Sequence, residues 1–436
     1  MKMTSRERVL AAIRHQEPDQ VPVTLGSTVE DGIAAAALTR LRNALGLEPR
    51  LVKLFQPFQM LGLVENDVRE ALGLDCVGLF GSRSCFGDRQ DNWKPWALQD
   101  GTEVLVSGDF QTTTDKNGNI YAYPQSDTSV PPCAKLPRGG FYFDAIDRQE
   151  PVNEEDLDGR RDYQEQFLPY SEEELRFLEA ASRDLYENTE YAVVGNFTLA
   201  SFGDLGGPLP ALATKRTPGF RRPADWLTAH LLYPEYIEEI FDFQTEICLE
   251  NLALLKEAVG ERMQVIRISS TDFGTQQREF ISPDLFRELY KPRYTKINRW
   301  IHENTGWKTL FHSCGSIVRL LDDFVDMGVD ILNPVQCSAV GMDPKFLKEN
   351  YGDKLVFWGG VVDTQRELQY GTPEDVRRQV LERMEIFSNG GGFVCNQVHN
   401  IQATTPVENL IALYDAIHEF NGHRKQGKDK KLLTVE

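Results

Sequence analysis

His312-Ser313-Cys314-Gly315 places two metal-grade side chains two residues apart at the end of an apolar run. An extended strand turns its side chains with period two, so His312 and Cys314 point the same way and can share one ion. Zinc takes imidazole nitrogen and thiolate sulfur. A catalytic zinc typically keeps three protein ligands and leaves one position open to substrate. Cys395, in Gly392-Phe393-Val394-Cys395, is the preferred third ligand, and His399 four residues beyond is its competitor. If that segment stays extended, both lie on one face.

Positioning such groups requires strands that end together. Eight short apolar runs are spaced along the chain: 21–26, 75–81, 192–197, 263–269, 308–312, 329–334, 355–359 and 392–397. Runs of this kind are buried on both faces, as in a parallel sheet covered by helices. Eight of them, each followed by a turn or a helical pattern, predict a (β/α)8 TIM barrel spanning residues 1–436 as a single domain. Ser282-Pro283 and Thr372-Pro373 are helix starts, and Thr405-Pro406-Val407-Glu408 reads as a capping box on a helix that Gly422 ends.

Residues 85–150 break the alternation. Asp115-Lys116-Asn117-Gly118-Asn119 separates two short extended stretches and predicts a β-hairpin. With Trp93, Trp96, Tyr121, Tyr123 and Phe141-Tyr142-Phe143, the segment reads as an aromatic-rich insertion over one end of the barrel, either a lid or a packed flap.

Barrels carry their chemistry in the loops after the strands. That rule selects Asp272 after the fourth run as a catalytic or orienting group, alongside His399. It also selects Asn333, Gln336 and Cys337 after the sixth, and Trp358 at the end of the seventh, as substrate contacts.

The net charge of −19, from 47 basic and 66 acidic residues, argues against a nucleic-acid partner. No apolar stretch approaches the roughly 20 residues of a membrane helix. A cytoplasmic protein is expected, with a homodimer as one open assembly state and seven scattered cysteines kept as thiols. The basic stretch from His423 to Lys431 reads as a solvated end.

Four segments together resemble the uroporphyrinogen decarboxylase superfamily: Ser5 to Pro22, Phe311-His312-Ser313-Cys314-Gly315, Asp330 to Gln336, and Thr405-Pro406-Val407-Glu408-Asn409. The resemblance covers nearly the whole chain and implies a (β/α)8 barrel. True decarboxylases of this kind use no metal and carry an Arg-rich N-terminal motif, which has no counterpart here. The other branch consists of zinc-dependent methyltransferases that work with a corrinoid protein, and its hallmark is His-x-Cys followed by a distant Cys. The branch implies Zn2+ as cofactor, cobalamin carried by a separate corrinoid protein, and a small-molecule methyl donor or acceptor. Placing the Thr405-Pro406 helix start on the family's equivalent puts His399 at the position of the distant cysteine.

Two directions of transfer are open, demethylation of a small O-methylated compound onto cobalt or methylation of a thiol. The aromatic insertion favours the first, with a methoxyaromatic substrate. A metal-free decarboxylase or lyase using His312 and His399 as acid and base is the further alternative.

Overall fold

The computed structural model describes residues 2–197, 199–206 and 209–425, with side chains through 422. The side chains of the basic stretch from His423 onward lie outside the described residues.

Seven parallel strands lie side by side in chain order: β1 (Cys76–Leu79), β2 (Ala192–Asn196), β3 (Val265–Ser269), β4 (Lys308–His312), β5 (Ile331–Asn333), β6 (Val356–Trp358) and β7 (Phe393–Val394). Their side chains split by parity into two layers. Val194, Val265, Leu310, Ile331, Val356 and Val394 fill the inside. Val193, Ile266, Phe311, Leu332, Phe357 and Phe393 face the surrounding helices.

The first of the eight expected strands forms only a bridge, Val23 to Cys395. Its backbone still closes the ring. The Thr24 amide donates to Cys395 O (3.0 Å) and the Cys395 amide to Pro22 O (2.8 Å), while the Asp75 amide donates to Val23 O (2.7 Å). Two local features keep this segment from being a full strand. Pro22 has no amide to give, and the amide of Val23 goes to the Asp75 carboxylate (2.9 Å) instead of to a backbone carbonyl. The architecture is TIM-barrel-like, with seven strands and a bridging eighth segment.

Helix α1 (Ser5–Ile13) starts in a capping box between Thr4 and Glu7. Its Val9, Ala12 and Ile13 pack on the inward layer and seal the barrel at the end away from the strand C-termini. Arg8, almost fully buried, ties this helix to Asp19 and to Asp75 beside β1.

The helix starts at Ser282 and Thr372 are present, each side chain accepting an amide of the first turn. Thr405 instead donates its hydroxyl to Gln369 Oε1 (2.6 Å). The last helix runs Val407–Lys425 and passes through Gly422, because a glycine without a left-handed φ costs a helix only about 1 kcal/mol.

The hairpin forms, pairing Thr112 with Ala122 and Thr114 with Ile120. It belongs to one of two four-stranded sheets; the other takes in strands Val52–Gln56 and Leu61–Gly62, upstream of the predicted insertion. Trp96, Phe110, Phe86 and Phe143 contact one another in series. Of the predicted rings, Trp96 and Phe143 therefore pack within the insertion, whereas Phe141 and Tyr142 are exposed.

Candidate metal centre and cleft

His312 is the last residue of β4 and points inward, two positions beyond Leu310. Its neighbour in register is Asn333, the last residue of β5. Asn333 Nδ2 donates to Trp358 O at the end of β6 (3.0 Å), and this fixes which way the amide faces. Asn333 Oδ1 is left to accept from His312 Nδ1 at 2.6 Å. The imidazole proton thus sits on Nδ1, and the Nε2 lone pair is free. That lone pair looks toward Cys314 Sγ (3.4 Å) and Asp272 Oδ1 (3.6 Å).

The turn carrying Cys314 is held by three hydrogen bonds, from the loop after β3 and from the end of β5 and the loop that follows it. The Cys314 amide donates to Asp272 Oδ1 (2.7 Å), the Ser313 amide to Asn333 O (2.8 Å), and the Gly315 amide to Gln336 Oε1 (2.7 Å). Gly315 has φ +88°, and a Cβ there would lie 2.4 Å from the Gly274 backbone, so no other residue fits. Burial and the adjacent Asp272 carboxylate push the Cys314 thiol well up.

His399 arrives from the loop after β7, its ring edge-on to that of His312 with centroids 5.4 Å apart. Burial, reinforced by the neighbouring His312, lowers its pKa to about 4, so the ring is neutral over the physiological range. The Asn400 amide donates to its Nδ1 (2.8 Å). The donor atoms of His312, Cys314 and His399 all lie within 4.8 Å of one another. Two ligands on a tetrahedral zinc stand roughly 3.5 Å apart by simple geometry from the bond lengths, which matches the sulfur to Nε2 distance. A borderline-soft N/S donor set with a carboxylate beside it fits zinc.

Cys395 does not join this cluster. Val394 is the inward residue of β7, so the next side chain turns outward, and Cys395 is fully buried between sheet and helices with its thiol pushed up by that burial. The third side chain that meets His312 and Cys314 is thus His399, not the expected Cys395.

The cluster sits at one end of a cleft of about 970 Å³ at the C-terminal mouth of the barrel, bordered by His312, His399 and Asp272. The four expected substrate contacts are elsewhere. Asn333 and Gln336 are used as braces, Gln336 Nε2 also donating to Gln276 Oε1 (2.9 Å). Cys337, its thiol raised to about 11 by burial, lies 3.5 Å from Val335 O, and Trp358 is fully enclosed in the inward layer. None of the four borders the cleft.

Three charged residues on its wall were missed. Asp204 accepts from Ser270 Oγ (2.6 Å) and the Gly206 amide, and burial raises its pKa to about 6. Arg267 and Glu30 form a buried pair (2.6 Å). Arg267 carried a usable signal, being a charged residue in the middle of a strand buried on both faces. Asp204 and Glu30 lie in loops with no periodic pattern to mark them.

The aromatic surface of the cleft comes from Phe55, Phe58, Phe80, Phe167, Tyr170 and Phe197. The insertion reaches the cleft through Cys85, Gly87, Gln90 and Gln125, and none of its predicted rings borders it. The expectation that those rings form the substrate pocket is corrected accordingly.

The sequence profile of the uroporphyrinogen decarboxylase (URO-D) family matches residues 151–420. A uroporphyrinogen decarboxylase of Psychromonas ingrahamii is 24% identical over 296 residues, covering 65% of this chain and 74% of the relative. That of Actinobacillus succinogenes is 31% identical over 264 residues, covering 58% and 67%. Among solved structures, a methyltransferase from Methanosarcina mazei superposes with a TM-score of 0.53 at 18% identity, covering 96% of this chain and 99% of the other. At that identity the likeness is one of fold.

Proposed function

Because the chain belongs to the uroporphyrinogen decarboxylase family, we propose that it is a methyltransferase and not a decarboxylase. In this reading it moves a methyl group from a small O-methylated compound to the cobalt of a separate corrinoid protein. The observation that carries the proposal is the meeting of the His312, Cys314 and His399 donor atoms within 4.8 Å at the end of the cleft.

These three residues would hold a zinc ion, whose contribution when bound is Lewis acidity toward the heteroatom bearing the methyl group. A set with one thiolate and two imidazoles leaves more of that acidity than two thiolates would, which favours ether cleavage over thiol activation. The chain's own residues do the rest. Asn333 keeps the proton on His312 Nδ1 so that Nε2 remains a lone-pair donor. Asp272 holds the Cys314 amide and places a negative charge beside the donor set. His399 stays neutral, and engaging it through Nδ1 exchanges the bond from the Asn400 amide. Phe55 and Phe80, with centroids 4.8 Å apart, give the apolar part of a substrate a surface to lie on.

Two measurements test the proposal. Purified protein is expected to carry near-stoichiometric zinc by elemental analysis. Mixing it with a cobalt(I) corrinoid protein and a methoxylated donor is expected to produce the absorbance of methyl-cobalt. Zinc-free protein that decarboxylates a substrate would overturn the reading. Consumption of methyl-cobalt by thiols, with no donor supporting its formation, would reverse the direction of transfer.

A further inference from the structure

An ether that loses its methyl group keeps both electrons of the broken C–O bond on oxygen, and that oxygen then needs a proton. His312 cannot give one without losing its brace, since its proton sits on Nδ1 in the bond to Asn333. A carboxyl group paired with a hydroxyl stands nearby. Asp204, in the loop after β2, is 8% exposed, and Ser270, one residue beyond β3, is partly exposed. Both border the cleft together with Asp272 and His312. Ser270 is two residues before Asp272, whose Oδ1 lies 3.6 Å from His312 Nε2. The titratable groups whose charge reaches Asp204 are Asp272, His312, Cys314, and Tyr294 on the helix Lys291–Asn304.

Hydrogen-bond partners place the hydroxyl hydrogens of this group. Ser270 has one, and with Asp204 ionised it goes to Asp204 Oδ2 (2.6 Å). Ser201 Oγ accepts the Ser270 amide (2.9 Å), and its own hydrogen is left to cross the 3.0 Å to Ser270 Oγ. A serine oxygen accepts two bonds and donates one. When Asp204 takes up a proton, Ser270 Oγ therefore accepts from both Asp204 and Ser201, and its own hydrogen is released to a third partner. Ser270 is partly exposed and borders the cleft, so a bound molecule can be that partner. Burial, with Asp272 adding to it, raises Asp204 to about 6 against the pull of Ser270, the Gly206 amide and His312. A general acid works best with its pKa close to the working pH.

We propose that Ser270 and Asp204 form a proton relay to the oxygen that loses its methyl group, Ser270 donating to that oxygen while Asp204 donates to Ser270. The C–O bond breaks with its electron pair left on oxygen, and the cobalt(I) pair forms the C–Co bond, which oxidises cobalt to the (III) state. The Ser270 proton completes the product hydroxyl, the Asp204 proton restores the serine, and the carboxylate left behind is reprotonated from solvent. This rests on the demethylation reading above.

Infrared difference spectroscopy across a pH titration tests the relay without any corrinoid. The natural protein is expected to show a carboxylic-acid C=O band that titrates at about 6 and is missing from Asp204→Asn. In Ser270→Ala the midpoint should rise, because the lost bond favours the carboxylate. Absence of the band, or a midpoint unmoved by Ser270→Ala, would overturn the proposal. Methyl-cobalt formation with a cobalt(I) corrinoid protein supplies the second readout, using methoxybenzene and 4-methoxybenzonitrile, whose oxygen leaves more easily. Each variant is expected to slow the first ether about 100-fold and the second at most about tenfold. Equal slowing of both ethers, with methyl-cobalt still forming, sinks the relay and leaves the transferase reading intact. If the natural protein forms methyl-cobalt from neither ether, the transferase reading falls and takes the relay with it.

Discussion

His312 and His399 face each other across 5.4 Å, but they are held in different ways. His312 sits on a strand, and a chain of side-chain bonds through Asn333 to the β6 backbone fixes both its orientation and its tautomer. His399 sits five residues beyond the last strand residue, in a loop, and its one hydrogen-bond partner among the described residues is the amide of the next residue. The first histidine is ready to donate a lone pair, and the second must give up a local bond to do so. Ligand affinity should therefore depend much more on the β4 side than on the β7 side.

Substituting His312 by Ala breaks the comparison outright. Bound zinc is expected to drop to background on elemental analysis, along with any methyl transfer. Asn333→Ala comes next, because it leaves the imidazole in place and removes only its orientation. Metal affinity measured by competition with a chelator should fall about 10–100-fold, the usual cost of losing such a partner. Asn333→Ala that binds zinc as the natural protein does would show that His312 needs no brace.

The His399 side is read most directly through pH. In metal-free protein the folded ring titrates at about 4, against 6.5 for the ordinary group. Between those values the unfolded chain binds the extra proton and the folded one does not, so stability is full above pH 6.5 and lost as pH falls toward 4. The urea midpoint should decline through that window, and His399→Gln should flatten the decline. An unchanged slope in the variant would mean that the ring is not buried as a neutral group.

The smallest effect on the metal is expected from Cys395→Ala. Zinc content should not change, whereas the cavity left between sheet and helices should cost about 1–2 kcal/mol in chemical denaturation. Loss of zinc from this variant would reinstate Cys395 as a ligand.

This contrast also explains what was readable in the chain. The β4 half could be seen because His312 and Cys314 keep a strand's period and end a run of apolar residues. The same rule misled at β7, where the strand stops at Val394 and the parity that makes Val394 inward turns Cys395 out. Beyond the strand end, spacing no longer encodes direction, so the same-face argument could not separate His399 from Cys395, and only the family resemblance placed His399 at the distant cysteine's position. Asn333 and Gln336 were found as polar loop residues, but their work is done through His312 and Gly315, and bracing of that kind has no sequence signature. The ring of strands was legible except for its first member, because Asp75 takes the Val23 amide that a strand pattern assigns to a neighbour. The insertion's rings suggested a pocket; none of them borders the cleft, so aromatic content alone does not say which surface it serves.

Helix α1 closes the far end of the barrel with Val9, Ala12 and Ile13, and this imposes an order on events at the mouth. With that end shut, a small molecule reaches the cleft from the mouth of the barrel and not through its axis. A macromolecular partner seated over that opening would trap whatever is already inside and bar whatever is not. Steady-state kinetics should then be compulsory-ordered, with the small substrate first on and its product last off, so that excess partner inhibits competitively with respect to the small substrate.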